Sequence, residues 1–167
     1  MENLLELLKI RRSVRVFQNK DIPKEELEKI VDAARFAPSA RNLQPWEFVV
    51  VTDKNKLAEL ADLGQNAGFM AHSSACIAVF CVDTHYFLED GSSATCNILL
   101  AAAALGIGSC WIAGDKKPYC QRVNALLNAP SGMKLISLIA LGYPQEENTF
   151  KIVEKRGLKE LLHWEKF

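Results

Sequence analysis

Three arginines and a serine fall within five residues, Arg11-Arg12-Ser13-Val14-Arg15. Guanidinium groups are permanent, planar, fork-shaped cations that match phosphate oxygens, and a neighbouring hydroxyl adds a donor to the same anion. The segment is therefore suited to gripping a phosphorylated ligand. It also reads as a solvated basic turn closing a helix, where cations are favoured beside the last carbonyls. A smaller basic cluster, Lys155-Arg156-Gly157, stands near the other end of the chain. Taken alone, it reads as surface.

Residues 38–46, PSARNLQPW, set hydroxyl and amide side chains on a loop pinned by Pro38 and Pro45. Such a loop offers directed hydrogen bonds to a polar ring or a sugar-like chain, and Trp46 fixes its base. In isolation it is also an ordinary lead into a strand. Residues 106–114, GIGSCWIAG, are rich in glycine but do not form a dinucleotide fingerprint. That fingerprint follows a strand and opens a helix, whereas this segment follows a helix and enters a strand. Its glycines either let backbone approach a flat ligand or cap the helix. Trp111 and Phe69 are candidates for a stacking pocket, although core or interface is the more ordinary place for such residues. Five cysteines, Cys76, Cys81, Cys96, Cys110 and Cys120, form no CxxC pair. Four lie in or beside apolar stretches and read as reduced core thiols. His72, His85 and His163 lack metal-ligand spacing, so no catalytic metal is expected.

Alternating helices and strands must position these pieces. Residues 2–11 read as a short helix. Pro23 opens a second helix with Leu27, Ile30, Val31 and Ala34 on one stripe. Buried strands are expected at 47–52, 76–82, 110–113 and 134–141, and helices at 54–63, 93–105 and 118–127. A short amphipathic piece at 158–164 ends the tail. Within 94–105 every residue except Thr95 and Asn97 is apolar. A helix apolar all round must be covered all round, which one small chain has difficulty doing. This helix is therefore expected at a subunit interface, the alternative being the centre of a monomeric core.

With 167 residues, 49% hydrophobic and 24% charged, the chain reads as one domain able to bury its own core. Twenty basic side chains balance twenty acidic ones, which disfavours nucleic acid or a membrane surface as partner. No apolar run approaches the roughly 20 residues of a membrane span. The opening residues, acids first and arginines last, run opposite to a signal peptide. A cytoplasmic protein is expected.

In this order, RRSVRVF, PSARNLQPWEFVVV, an apolar helix leading into GIGSCWIAG, a strand ending LGYP, and EKRGLKELLHWEKF resemble the nitroreductase family of FMN-dependent oxidoreductases nearly end to end. The resemblance implies an α/β (α+β) three-layer sandwich, a central, mostly antiparallel sheet flanked by helices. It further implies a single FMN-binding domain over 1–167, an intertwined homodimer with FMN at its interface, and a tail of about 145–167 packed on the partner. Carried over by position, Arg11, Ser13 and Arg15 would grip the phosphate and ribityl chain, with Arg12 nearby. Lys155 and Arg156 would close on the same phosphate. Pro38, Ser39 and Asn42 would reach the flavin of the partner subunit. The backbone at Ala113 and Gly114 would meet the flavin N5 edge, and Gln65 or Asn66 the pyrimidine side.

The activity so implied passes a hydride from NADH or NADPH through flavin N5 to a flat acceptor, a nitroaromatic or quinone, in a ping-pong cycle. No catalytic side chain is required. The alternative is a member that binds, senses or consumes flavin without turning over an external acceptor. Two departures stand out. Ala113 occupies a position where some relatives carry glutamate. The stretch between Val82 and the apolar helix is also short, so any roof over the substrate must come from 83–91 or 61–73.

Overall fold

Four apolar runs form the four strands of one sheet in a computed structural model that describes residues 4–64, 66–147 and 149–167. Strand β1 is Trp46–Val51, β2 Ala75–Val82, β3 Gly108–Ala113 and β4 Met133–Gly142. Their order is β1-β2-β4-β3, and every pairing is antiparallel. The helices are α1 Leu4–Ile10, α2 Lys24–Ala34, α3 Lys54–Leu63, α4 Phe87–Ala104 and α5 Cys120–Leu126.

Alternation along the strands sends side chains to two faces. Ile77, Val79, Ile139 and Leu141 pack with Leu27 and Ile30 of α2 and with Ala94 and Ile98 of α4. Cys76, Ala78, Phe80, Leu138 and Ala140 pack with Leu57 and Leu60 of α3 and with Val123 of α5. The result is the expected three-layer sandwich. A bulge interrupts the β2–β4 register: Val79 faces Ser137 and Phe80 faces Leu135, so Ile136 is skipped. The extra residue reverses the local alternation, and Ile136 joins the layer containing α4.

Helix α4 begins at Phe87, six residues before the sequence expectation of 93. Gly91, Ser92 and Ser93 mimic a breaker. Gly91 is needed for a different reason: a Cβ there would lie 2.6 Å from Ile136 Cγ1 and 2.9 Å from Cys81 Sγ. The hydroxyls of Ser93 and Thr95 donate to the carbonyls of Glu89 and Gly91 one turn back, so neither unwinds the helix. One side of α4, including Ala94, Ile98 and Ala102, is buried, while Cys96 and Ala104 are exposed and Leu100 is half-buried. The chain thus leaves part of this apolar helix uncovered. Beside it, α1 exposes Leu4, Leu5 and Leu8.

The expected amphipathic piece at 158–164 is instead a single 3-10 turn at Leu158–Glu160. Seven residues do not hold a helix without a surface to bury against. Ile152, Leu158, Leu161 and Trp164 are all exposed.

All five cysteines are free. Burial pushes the Cys76 thiol up to about 12, and burial with the nearby Asp90 charge does the same for Cys81. A thiol whose folded pKa exceeds its unfolded value of about 8.5 stabilises the fold below that pH. This stability is lost as pH rises toward 12. Cys76→Ala should flatten the alkaline limb of a stability–pH curve by up to about 1.4 kcal/mol per pH unit. Urea unfolding between pH 8 and 10.5 checks this, and parallel slopes for the two proteins would contradict it.

Candidate functional site at the outer edge of strand β3

The arginine segment is bolted to the end of the sheet. Gly108 and Gly142 are paired across β3 and β4. A Cβ on Gly108 would lie 2.8 Å from Val14 Cβ, and one on Gly142 would lie 2.7 Å from Phe17 Cγ. The two bare positions thus form a shallow seat for Val14 and Phe17. Backbone bonds fasten it: the Val14 N–H donates to Ser109 O at 2.9 Å, and the Gln18 N–H to Tyr143 O at 2.8 Å. With Val14 and Phe17 turned inward, Ser13 and Arg15 are exposed, and Arg11 and Arg12 are half-buried.

A cavity of about 610 Å³ adjoins this seat. Its walls include Arg15, Asn66, Phe69, Trp111, Ala113 and Tyr119, with Lys117 at the rim. Both charged side chains in the lining are cations. The Arg15 guanidinium lies 5.8 Å from the centre of the Phe69 ring. Arg11 and Arg15 also act on the Cys110 thiol: burial raises its pKa, and the two cations oppose that rise. Both arginines therefore direct their field at the start of β3.

Strand β3 is a sheet edge, so alternate residues turn their backbone groups away from β4. Gly114 turns inward, its N–H donating to Ile136 O at 2.9 Å. Ser109 turns outward, since its carbonyl accepts from Val14. By the same alternation Trp111 and Ala113 face outward, toward the cavity they line. The Tyr119 hydroxyl donates to the Ala113 carbonyl. The expectation for the Ala113–Gly114 backbone is thereby sharpened: the Gly114 amide belongs to the sheet, and the outward amide is that of Ala113.

Pro38, Ser39 and Asn42 are placed elsewhere. They precede β1, the opposite edge of the sheet, three strand spacings or about 14 Å from β3. A 3-10 turn at Ala40–Asn42 shapes their loop. Lys155 and Arg156 are exposed on the tail, with Arg156 bonding to Glu160 four residues on. One chain does not unite these groups with the cavity. Gln65 lies outside the described residues. Neighbouring Asn66 lines the cavity.

Of the two segments expected to roof the site, 61–73 supplies the wall, through Leu63, Gly64, Asn66, Ala67 and Phe69. Segment 83–91 does not: after a short turn it is already helix α4. Tyr119 and Lys117 were invisible in the sequence, which holds no local pattern to mark them. Among the described residues, no cluster of His, Cys, Asp or Glu is arranged to hold a metal, and no helix is long and apolar enough to cross a membrane.

The chain is an antiparallel sandwich with a cavity on its edge strand lined by cationic and aromatic side chains. The model of the nitroreductase family matches residues 8–69, and a second nitroreductase model matches residues 89–166. A candidate NADH dehydrogenase/NAD(P)H nitroreductase from Archaeoglobus fulgidus is 37% identical over 100% of both chains. A crystal structure of a protein so described from Bacteroides thetaiotaomicron superposes with a TM-score of 0.92 at 29% identity, over 100% of both chains. A Desulfovibrio desulfuricans nitroreductase-like protein, solved in complex with FMN, superposes with a TM-score of 0.82 at 28% identity, covering 100% of this chain and 99% of that one. The chain belongs to the nitroreductase family.

Proposed function

We propose that this protein is an FMN-dependent oxidoreductase that accepts a hydride from NADH or NADPH and passes it to a flat acceptor, a nitroaromatic or a quinone. The observation that carries this reading is the β3-edge cavity, where a guanidinium, aromatic walls and an outward backbone amide converge. The donor set fits FMN at both ends. Arg11, Ser13 and Arg15, with Arg12 beside them, suit the phosphate and ribityl chain. Phe69, Trp111 and Tyr119 suit a ring system, Asn66 or Gln65 its pyrimidine edge, and the Ala113 amide the N5 edge. FMN bound there supplies the hydride relay. The chain's own residues bind, orient and desolvate. Donor and acceptor use the same open face in turn, in a ping-pong order, so a lasting dinucleotide site is unnecessary.

The working unit is a homodimer. The cavity and the Pro38–Asn42 loop sit at opposite sheet edges, so a second copy must supply the loop to each flavin. The uncovered sides of α4 and α1 provide apolar surface for that contact. Along β1 runs a groove of about 1060 Å³ lined by Leu27, Val31 and Val50. An unpaired strand edge invites another chain, and the partner's tail, with Ile152 exposed, is suited to cover it. Lys155 and Arg156 then close on the phosphate. Deleting 149–167 should convert the dimer to monomer and weaken FMN retention by at least about 10²-fold, since two charge-assisted contacts go and the partner's loop goes with them. Light scattering and flavin absorbance of the truncated protein read this out, and a tight yellow dimer would contradict it.

The purified protein is expected to be yellow, to rebind FMN after stripping, and to oxidise NADH or NADPH when menadione or a nitroaromatic is added. Colourless protein that takes up no FMN would overturn the reading. Bound FMN without turnover by either donor would favour flavin storage, sensing or breakdown.

A further inference from the structure

Asp90 lies in the first turn of α4 and is 5% exposed. Its Oδ1 accepts the Ala40 N–H at 2.9 Å, while its buried Oδ2 has no partner among the described residues. The helix beneath it is closely packed, because the neighbouring Gly91 is pressed against Ile136 and Cys81 with no room for a Cβ. The loop it holds is strained. Arg41, Asn42 and Gln44 have φ of 53°, 55° and 49°, the left-handed region that costs a non-glycine residue about 1 kcal/mol or more. Besides Asp90, the loop has mainly its own bonds: Ser39 Oγ accepts the Gln44 N–H at 3.0 Å, and the Asn42 N–H reaches Ser39 O.

A buried carboxylate with one oxygen unmatched is a poor stabiliser, and apolar replacement of such groups is often neutral. Stability therefore does not account for Asp90. We infer that Asp90 is a positioning residue: its carboxylate clamps the Ala40 amide to the rigid start of α4 and so holds Ser39 and Asn42 in the shape presented to the flavin of the partner copy. The flavin part of this inference rests on the function proposed above. The clamp itself does not.

Two readouts separate them. Hydrogen exchange of a peptide spanning 38–45, in the protein stripped of flavin, reports the clamp alone. FMN titration by fluorescence quenching reports its consequence. Asp90→Ala should raise exchange in 38–45 and weaken FMN binding about tenfold, the worth of one charge-assisted bond. Asp90→Asn keeps an acceptor, though an uncharged one about half as strong, and should bring both back to within about threefold. Asp90→Leu fills the space without an acceptor; it should melt close to the natural protein yet share the defects of the alanine variant, and it serves where the alanine variant does not fold. Unchanged loop exchange and FMN affinity in the leucine variant would overturn the inference, as would failure of asparagine to restore them. Natural protein that binds no FMN would overturn the proposed function, leaving loop exchange to decide the role of Asp90.

Discussion

The double variant Arg11→Ala/Arg15→Ala should bind FMN about 10²- to 10⁴-fold more weakly, because two charge-assisted contacts of about 1.5–3 kcal/mol each are removed. The stripped protein should keep its melting temperature. Neither arginine forms an ion pair with a carboxylate among the described residues, and the fastening of their segment is by Val14, Phe17 and backbone bonds. On the function proposed above, the two cations serve the ligand, and the fold does not depend on them for an ion pair. Replacement by lysine keeps charge but loses the fork, and should fall between. Raising salt should weaken the natural protein more than the alanine variant, since screening acts on the charges removed. Calorimetric FMN titrations at two salt concentrations measure all of this. Equal affinity of natural and double-alanine proteins would sink the phosphate assignment.

Gly114→Ala should be the most damaging single methyl in the site. The new Cβ would lie 2.5 Å from Leu135 O and 2.7 Å from the carbonyl of Ile136. These are backbone atoms of β4 and cannot rotate aside. The end of β3 must peel away, breaking the Gly114–Ile136 bond and shifting Ala113 with its Tyr119 contact. Overpacking plus a lost hydrogen bond amounts to about 3 kcal/mol, or about 10 °C in melting temperature for a chain of this size. Gly106→Ala is the control. Its φ is +70° but no atom lies within 4 Å of the added Cβ, so only the left-handed cost of about 1 kcal/mol applies. Thermal unfolding of both apoproteins tests the contrast, and equal melting temperatures would show that the close approach at Gly114 is not limiting.

Much of this architecture was legible in residue order. Runs such as CIAVFCV and KLISLIAL are short, continuously apolar and rich in β-branched residues, the pattern of strands covered on both faces, and the sheet contains both. The arginine segment announced itself because guanidinium chemistry is local. What escaped detection depends on contacts distant in sequence. Gly91 looks like a helix breaker until Ile136 and Cys81 are brought against it. Asp90 looks like a solvent acid until the Ala40 amide, fifty residues away, arrives. Tyr119 acquires a role only because the chain after Gly114 turns back on Ala113. The tail's amphipathic pattern at 158–164 does not by itself specify structure, and the chain forms only a 3-10 turn there with its apolar side chains exposed.

The opposite placement of cavity and loop has a genetic consequence. If β3 of one copy and the β1-side loop of the other make each site, every dimer holds two sites that share no loop and no cavity. A chain with a ruined arginine segment and a chain with a ruined loop are each inactive as pure dimers. Paired with each other, they concentrate both lesions in one site and leave the other whole. Two dead alleles expressed together would then complement, restoring one working site in each mixed dimer.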